Sequence, residues 1–368
     1  MVLPFEQGEI RGKREKESIR HILDEVKRAT SFFDVDNDNF LEINEDNLKH
    51  IPERYVEEAR GMASGSGFTE EQLLGINFGK GIRNLFREGC TAFAIPSDYT
   101  PGGGTLLLKN RDLGYRRLHP QVLSYSRLDG YNEFLGVTTG GNAFWYQGIN
   151  NKRLVAFNTA TRCGKYMEGV GINILITRIL EECDDVEEAL DLIDSEQIDA
   201  CSNLFLADRD QIKIVELKRG FPNHVTEVDK PQARANHYLY HDNAEATGSE
   251  DTLRMLQTKT RFERARQLLN SKEEIGVKDL IRFSRDHDHG PNSYSICRHA
   301  AFVGTNLDKL LSSSTLSSQI FCIGEKIESY VALGRPCQTE FLHYCYGEEI
   351  TDPMVSGKMW LDNLEEQS

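Results

Sequence analysis

Four short stretches carry side chains whose types and spacing suit chemistry. In FREGCTAFAIP, residues 86–96, Gly89 and Cys90 open an apolar run after a polar, helical lead-in. A cysteine there reads either as a small buried hydrophobe, the commonest fate of a free thiol, or as a nucleophile whose thiolate attacks a carbonyl carbon. In LLLKNRDLGY, the polar Lys109, Asn110 and Asp112 follow an apolar strand, which would set Asp112 beside the start of the preceding strand, where Cys90 lies. GINNKRLVAFNTA puts Asn158 at the end of another strand, and ARANHYLYHD puts Asn236 in a similar place. Singly, each Asn or Asp reads as a turn or capping residue. Beside a candidate nucleophile, the set carries more weight.

Three further features compete with that set. DVDNDNFLEINE, residues 34–45, resembles a calcium loop, with Asp34, Asp36, Asp38 and Glu45 at its ligand positions and Leu41 at its apolar one. Asn39 stands where such loops carry glycine, a change that asparagine's tolerance of the left-handed region permits. A single such loop lacks the usual pairing of hands, so an acidic solvated turn is the favoured reading. His287 and His289 in RDHDHG alternate as metal ligands on a strand would, yet a polar loop before Pro291 is favoured. The glycines 102–104 sit between two strands and lack the following helix that a phosphate loop requires. No cofactor or resident metal is expected.

Composition narrows the partners. With 43 Lys+Arg against 58 Asp+Glu, the formal charge of -15 repels phosphate backbones and anionic membrane surfaces, so neither nucleic acid nor a membrane is expected as a partner. No apolar run reaches the length of a bilayer span, and the start MVLPFEQGEIRGKREKES lacks the apolar core of a secretory signal. These features set the expectation of a cytoplasmic protein. The eight cysteines include no Cys-x-x-Cys pair, so reduced thiols are expected.

The elements that must position the chemical residues change character near Cys90. Before it, Ile19, Ile22, Leu23, Val26, Ala29 and Phe33 recur at helical spacing, and Thr69 with Gln72 forms a capping box. After it come short strands broken by glycine: TAFAIP, GTLLLKNRDL, EFLGVTTGG, AFWYQGIN and RLVAFNTA. A helical block follows, with an apolar stripe at Ile172, Leu175, Ile176, Ile179 and Leu180, then a helix capped by Asp185 and Glu188. SNLFLADRDQIKIVEL reads as a hairpin. Thr260 with Glu263 reads as the cap of RFERARQLL, placing Arg261 in the first turn. Strands and helices in this order predict an α+β, layered arrangement.

Taken in order, YVEEARGMASGSGFTEEQLLGIN, EGCTAF, KNRDLGY, GINNKRLVAFNT, NLFLADRDQIKIVEL, ARANHYLYHD, TKTRF, SICRH and LGRPC resemble the N-terminal nucleophile (Ntn) hydrolases. Within these, they are most similar to the self-processing isopenicillin N acyltransferase family, known also as peptidase family C45. Bile salt hydrolases and penicillin V acylases are more distant relatives. The resemblance implies a four-layer αββα sandwich with a helical pro-segment, residues 1–89, and a catalytic domain, residues 90–368. It implies cleavage between Gly89 and Cys90, with the first piece retained as a non-covalent subunit. Cys90 would be the nucleophile, Asp112 the partner of its amino group, Asn158 and Asn236 oxyanion-side residues, and Arg261 the cation that steadies Asp112 and the thiolate. Lys109 would contact substrate, where bile salt hydrolases carry arginine; a lysine lacks the planar fork.

Cleavage would give Cys90 a free α-amino group with a reference pKa of about 7.7 to 8.0, suited to general-base work near neutral pH. One residue would then supply both nucleophile and base, and a small acyl amide would pass through a Cys90 thioester. Water as acceptor gives hydrolysis and an amine gives transfer. Hydrolysis is the expectation, because nothing in the sequence reads as a site for the phosphates of coenzyme A. A non-catalytic calcium-binding protein, with Cys90 as core, is the reading from a different class.

Overall fold

Each strand of the protein divides its side chains between two faces, and each face finds a different partner. The computed structural model describes residues 2–33, 42–43, 48–79, 89–114, 120–162, 168–243, 249–288, 290–299 and 313–350. Strands β1 (Gly89–Ile95), β2 (Thr105–Gly114), β10 (Gln232–Arg234), β11 (Ser313–Ile323), β12 (Ile327–Leu333) and β13 (Leu342–Cys345) form one antiparallel sheet, ordered β10-β1-β2-β11-β12-β13. Strands β3 (Gln121–Ser126), β4 (Phe134–Thr139), β5 (Gln147–Asn150), β6 (Val155–Ala160), β7 (Cys201–Ala207), β8 (Ile212–Lys218) and β9 (His224–Glu227) form a second, in chain order.

Between the sheets, Ala92, Ala94 and Leu107 meet Leu135, Val137, Phe157 and Phe205 in one core. Phe157 stacks on Phe205 and on Phe321, with ring centroids 4.8 and 5.7 Å away. The outer face of the second sheet packs under helices α2 (Lys16–Phe33), α3 (Glu53–Ser66), α4 (Glu70–Phe78), α5 (Ile172–Glu182) and α6 (Val186–Ser195), preceded in the chain by α1 (Pro4–Arg14). The outer face of the first sheet sets Phe93, Ile95, Leu106 and Leu108 against α7 (Ser249–Asn270) and α8 (Val277–Ser284). The result is the four-layer αββα sandwich. Among the described residues, no helix is long and apolar enough to cross a membrane.

Local sequence signals account for several boundaries. Thr69 accepts from the Gln72 N–H while Gln72 accepts from the Thr69 N–H, closing the expected capping box. Asp185 accepts from the Glu188 N–H at the start of α6. Thr260 behaves otherwise: α7 begins at Ser249, so Thr260 lies in mid-helix and its hydroxyl donates to the Leu256 carbonyl. Arg261 is therefore not in a first turn. The same Thr-x-x-Glu spacing serves a helix interior as well as a cap, because a threonine hydroxyl can bond back to the preceding turn. The expectation of reduced thiols holds for Cys90, Cys183, Cys297, Cys322, Cys337 and Cys345, which are free, and fails at Cys201, which is disulfide-bonded. Pairing depends on Cα separation in the folded chain, which the absence of a Cys-x-x-Cys motif does not report.

Residues before Gly89 share one apolar core with the second sheet, where Ile19, Met62 and Ile76 pack with Phe134, Trp145 and Leu204. The packing of α1 against α3 depends on glycine. A Cβ on Gly8 or Gly12 would lie 2.1 Å from the Glu58 carbonyl oxygen or 2.3 Å from that of Met62, and one on Gly61 or Gly65 would lie 2.1 Å from those of Phe5 or Glu9. The two backbones touch. Buried Arg11 then donates to Glu15 (3.0 Å) and Glu58 (2.7 Å) and lies 4.5 Å over the Trp145 ring. Glu15 accepts from the Gly141 N–H, and Asn77 bonds both the Gly141 carbonyl and the Ala143 N–H. The front helices thereby hold the turn that leads to Tyr146.

A glycine-to-alanine change in an exposed helix interior stabilises by up to about 1 kcal/mol. At Gly61 the sign should reverse: Gly61→Ala is expected to lose about 1–3 kcal/mol through overpacking. Gly102→Ala, with open space at the Cβ position, should be near neutral. Urea unfolding of the two variants checks this.

Candidate active site

Antiparallel pairing of β1 with β2 sets Gly89 opposite Asp112 and Cys90 opposite Arg111. Since side chains alternate, Cys90 shares the inward face of β1 with Ala92 and Ala94, while Thr91 shares the outward face with Phe93. Cys90 is fully buried in the continuous chain. Its backbone N–H donates to Asn236 Oδ1 at 3.0 Å. Arg261, reaching in from α7, donates through Nη1 to the Cys90 carbonyl (2.6 Å) and the Thr91 hydroxyl (2.7 Å), and through Nη2 to Asn236 Oδ1 (2.7 Å). The second sheet fixes this Asn236: its Nδ2 donates to the Ala160 carbonyl, and Asn203 on β7 donates to the carbonyls of Ala235 and His237.

On the outward face, Asp112 Oδ1 accepts from Thr315 (2.7 Å), and its Oδ2 lies 3.8 Å from Arg261 Nη1 and 3.7 Å from Arg298 Nη1. The Arg298 backbone is clamped to β11, with its N–H donating to Thr315 Oγ1 and its carbonyl accepting from the Thr315 N–H. All three charges are buried. Burial raises the Asp112 pKa against the pull of Arg298 and Arg261. It depresses that of Arg261 against the pull of Asp112, and that of Arg298 together with repulsion from Arg261. Two cations stand against one carboxylate, and both guanidiniums couple electrostatically to Cys90.

Between the sheets, Lys109 Nζ donates to the Tyr146 carbonyl (3.0 Å) and lies 3.4 Å from Asn158 Oδ1. Asn158 Nδ2 donates to Ser202 on β7 (2.8 Å). Arg111 donates to Gln121 and lies 3.7 Å over the Tyr146 ring, so the turn held by the front helices borders this space.

The structure thus brings Cys90, Asp112, Asn236 and Arg261 into one hydrogen-bonded and charged group, with Lys109 and Asn158 paired beside it on the inner face. It also shows why a small residue suits position 89. Gly89 is in a regular strand and has no positive φ, but a Cβ there would lie 2.6 Å from Arg298 Nη1 and 3.2 Å from Asp112 Oδ2. A side chain at position 89 would make the Arg298 guanidinium shift from its place beside Asp112. Sequence reasoning assigned no role to Arg298 or Thr315. Arg298 is the fourth residue of SICRH, a stretch noted only for its resemblance, and it carries no other signal in the sequence. Asp34, Asp36, Asp38, Glu45 and His289 lie outside the described residues.

A family model described as acyl-coenzyme A:6-aminopenicillanic acid acyl-transferase matches residues 100–311, more than half of the chain. The chain belongs to this family. Lys109, Asp112, Asn158, Asn236, Arg261 and Arg298 of this member fall inside the match, while Gly89 and Cys90 precede it. Among curated proteins, protein dcd1A of Dictyostelium discoideum is 28% identical over 165 residues, which are 39% of this chain and 35% of that protein, so the match spans about a third of the relative's length. Similar solved structures include a mutant of conjugated bile acid hydrolase from Clostridium perfringens (15% identity, TM-score 0.46, 72% of this chain and 94% of that one). Others are an N-acylethanolamine-hydrolyzing acid amidase ortholog from Caenorhabditis elegans (13%, 0.44, 63% and 92%) and penicillin V acylase from Agrobacterium tumefaciens (13%, 0.44, 70% and 87%).

Removing Asp112 would leave two buried guanidiniums facing each other without a counter-charge. Asp112→Asn should therefore cost about 3–5 kcal/mol of stability. Adding Arg298→Leu, which removes one uncompensated cation, should restore part of that loss in the same denaturant titration.

Proposed function

We propose that this family member is a self-processing thiol amidohydrolase, in which Cys90 acts as an N-terminal nucleophile on a small acyl amide. The observation that carries the reading is the Cys90 N–H donating to Asn236 Oδ1, with Arg261 on the Cys90 carbonyl and Asp112 opposite Gly89. An ordinary core cysteine needs no buried acceptor, carboxylate and pair of guanidiniums around its backbone.

Processing starts when Cys90 Sγ attacks the Gly89 carbonyl carbon. The Gly89 acyl group moves from the Cys90 nitrogen to sulfur, and water then cleaves the thioester, leaving a Gly89 carboxylate and a free Cys90 amine. Asn236 Oδ1 already accepts from that nitrogen, so the new amine is held with a lone pair for base work. In turnover, the amine takes the thiol proton, the thiolate attacks the substrate carbonyl, and the amine returns the proton to the leaving nitrogen. Asn158, oriented by Lys109 and Ser202, has a second amide proton for the oxyanion. Arg261 and Arg298 stabilise the negative charge on sulfur. Water releases the acyl group as free acid. The shared core keeps the piece before the cut bound without a covalent link.

Acyl transfer is the second reading, favoured by the description of the family model. In it, an amine in place of water attacks the same thioester, and an acyl-coenzyme A loads it.

The test is to incubate the enzyme with a panel of acylated amines, including penicillin V and β-alanyl amines, and then digest and map it. Free acid should form, and the trapped acyl group should sit on a peptide that begins at Cys90. Cys90→Ala should abolish both, and Cys90→Ser should slow turnover, since a hydroxyl is the weaker nucleophile. Product formed mainly by transfer from an acyl-coenzyme A would favour the second reading. An acyl group on a different residue would overturn both.

A further inference from the structure

Away from Cys90 Sγ, four metal-ligating side chains converge at the end of the first sheet. His287 follows α8, Cys297 and His299 lie on the loop leading to β11, and Cys337 lies in the turn after β12. One donor atom from each falls within 4.8 Å of all the others. His299 Nε2 is 3.3 Å from Cys337 Sγ and 3.9 Å from Cys297 Sγ. The His287 and His299 rings meet edge to face with centroids 4.8 Å apart. Cys297 and Cys337 are free thiols, not a disulfide.

These distances match a metal's needs better than a hydrophobic cluster's. Zinc holds thiolate at about 2.3 Å and imidazole at about 2.0–2.1 Å, so the edges of its tetrahedron run from about 3.3 to 3.8 Å. The separations of His299 Nε2 from the two thiols, 3.3 and 3.9 Å, lie at or close to those limits. A second observation points the same way: His287 Nε2 is buried with no hydrogen-bond partner among the described residues. A buried imidazole nitrogen left unpaired costs free energy that a ligand would recover.

We propose that His287, Cys297, His299 and Cys337 form a structural Cys2His2 site for a divalent cation of the zinc class. Two thiolates neutralise the ion, and four protein ligands close the shell, as in structural and not catalytic zinc sites. Coordination through His299 Nε2 puts the imidazole proton on Nδ1. Arg335 Nη1, 3.5 Å from that atom, then turns to Gln338 Oε1, already 3.3 Å away. The backbone that carries the ligands is tied down: the Cys297 N–H donates to the Asp286 carbonyl, the His299 N–H to the Asn292 carbonyl, and Arg285 Nε to the Pro336 carbonyl. Cys297 and His299 flank Arg298, so the metal would pin the residue that faces Asp112 and Gly89. The site stands on its own donors and does not depend on the thiol chemistry of Cys90.

The test uses the full chain purified without chelator from zinc-supplemented culture. Mass-spectrometric metal analysis should find roughly one zinc per chain. After chelation, added cobalt should produce the visible d–d and thiolate charge-transfer bands of a tetrahedral site. Cys337→Ser should lose both signals, and Cys345→Ser, in a separate, partly exposed cluster with Glu328 and His343, should keep them. If Cys337→Ser fails to fold, the metal content and cobalt spectrum of the unaltered chain decide. Wild-type protein without zinc and without cobalt bands, or with a Cys297–Cys337 disulfide in a non-reducing peptide map, overturns the site.

Discussion

The structure depends on burying one carboxylate between two guanidiniums at the point where β1 begins. Asp112 lies opposite Gly89 because the strand register puts it there, and position 89 has no side chain that would make Arg298 shift. Three charges held out of water are costly unless their geometry is fixed from several sides. Here it is fixed by Thr315 from β11, by Arg261 from α7 and by the Arg298 loop. Each of these elements belongs to a different part of the chain, so the site exists only when the first sheet and its covering helices are complete.

The second sheet contributes through hydrogen bonds and not through charge. Asn203 and the Ala160 carbonyl hold the Asn236 loop, and Asn236 in turn accepts from both Cys90 and Arg261. The front helices reach the same space by another route. Close packing of α1 on α3 at four glycines buries Arg11 and Glu15, Glu15 caps the Gly141 turn, and that turn delivers the Tyr146 carbonyl to Lys109. Residues before Gly89 are therefore part of the machinery that shapes the inner face, whatever becomes of the peptide bond that joins them to Cys90.

Much of this was legible in the sequence where a local rule carried it. The Thr69 capping box, the Asp185 cap, the hairpin of β7 and β8 and the place of Asp112 beside the start of β1 follow from spacing and alternation. Rules that depend on tertiary context did worse. Gly8 and Gly12 argue against a helix by propensity, yet α1 uses them for backbone contact. Thr260 looked like a cap and lies inside α7. Arg298 gave no signal because its partner is 186 positions away in the chain and no periodicity marks it. The four donors of the proposed metal site come from three segments, so the pair His287 and His289 was read by adjacency when the folded chain groups His287 with Cys297, His299 and Cys337.

The central claim is that Cys90 becomes an N-terminus by its own chemistry. Intact mass measurement of the purified protein under denaturing conditions, with N-terminal sequencing of each species, tests it most directly. The account predicts two pieces that divide between Gly89 and Cys90, and a single uncut chain for Cys90→Ala. A wild-type chain that stays whole, or a Cys90→Ala chain cut at the same bond, would contradict it.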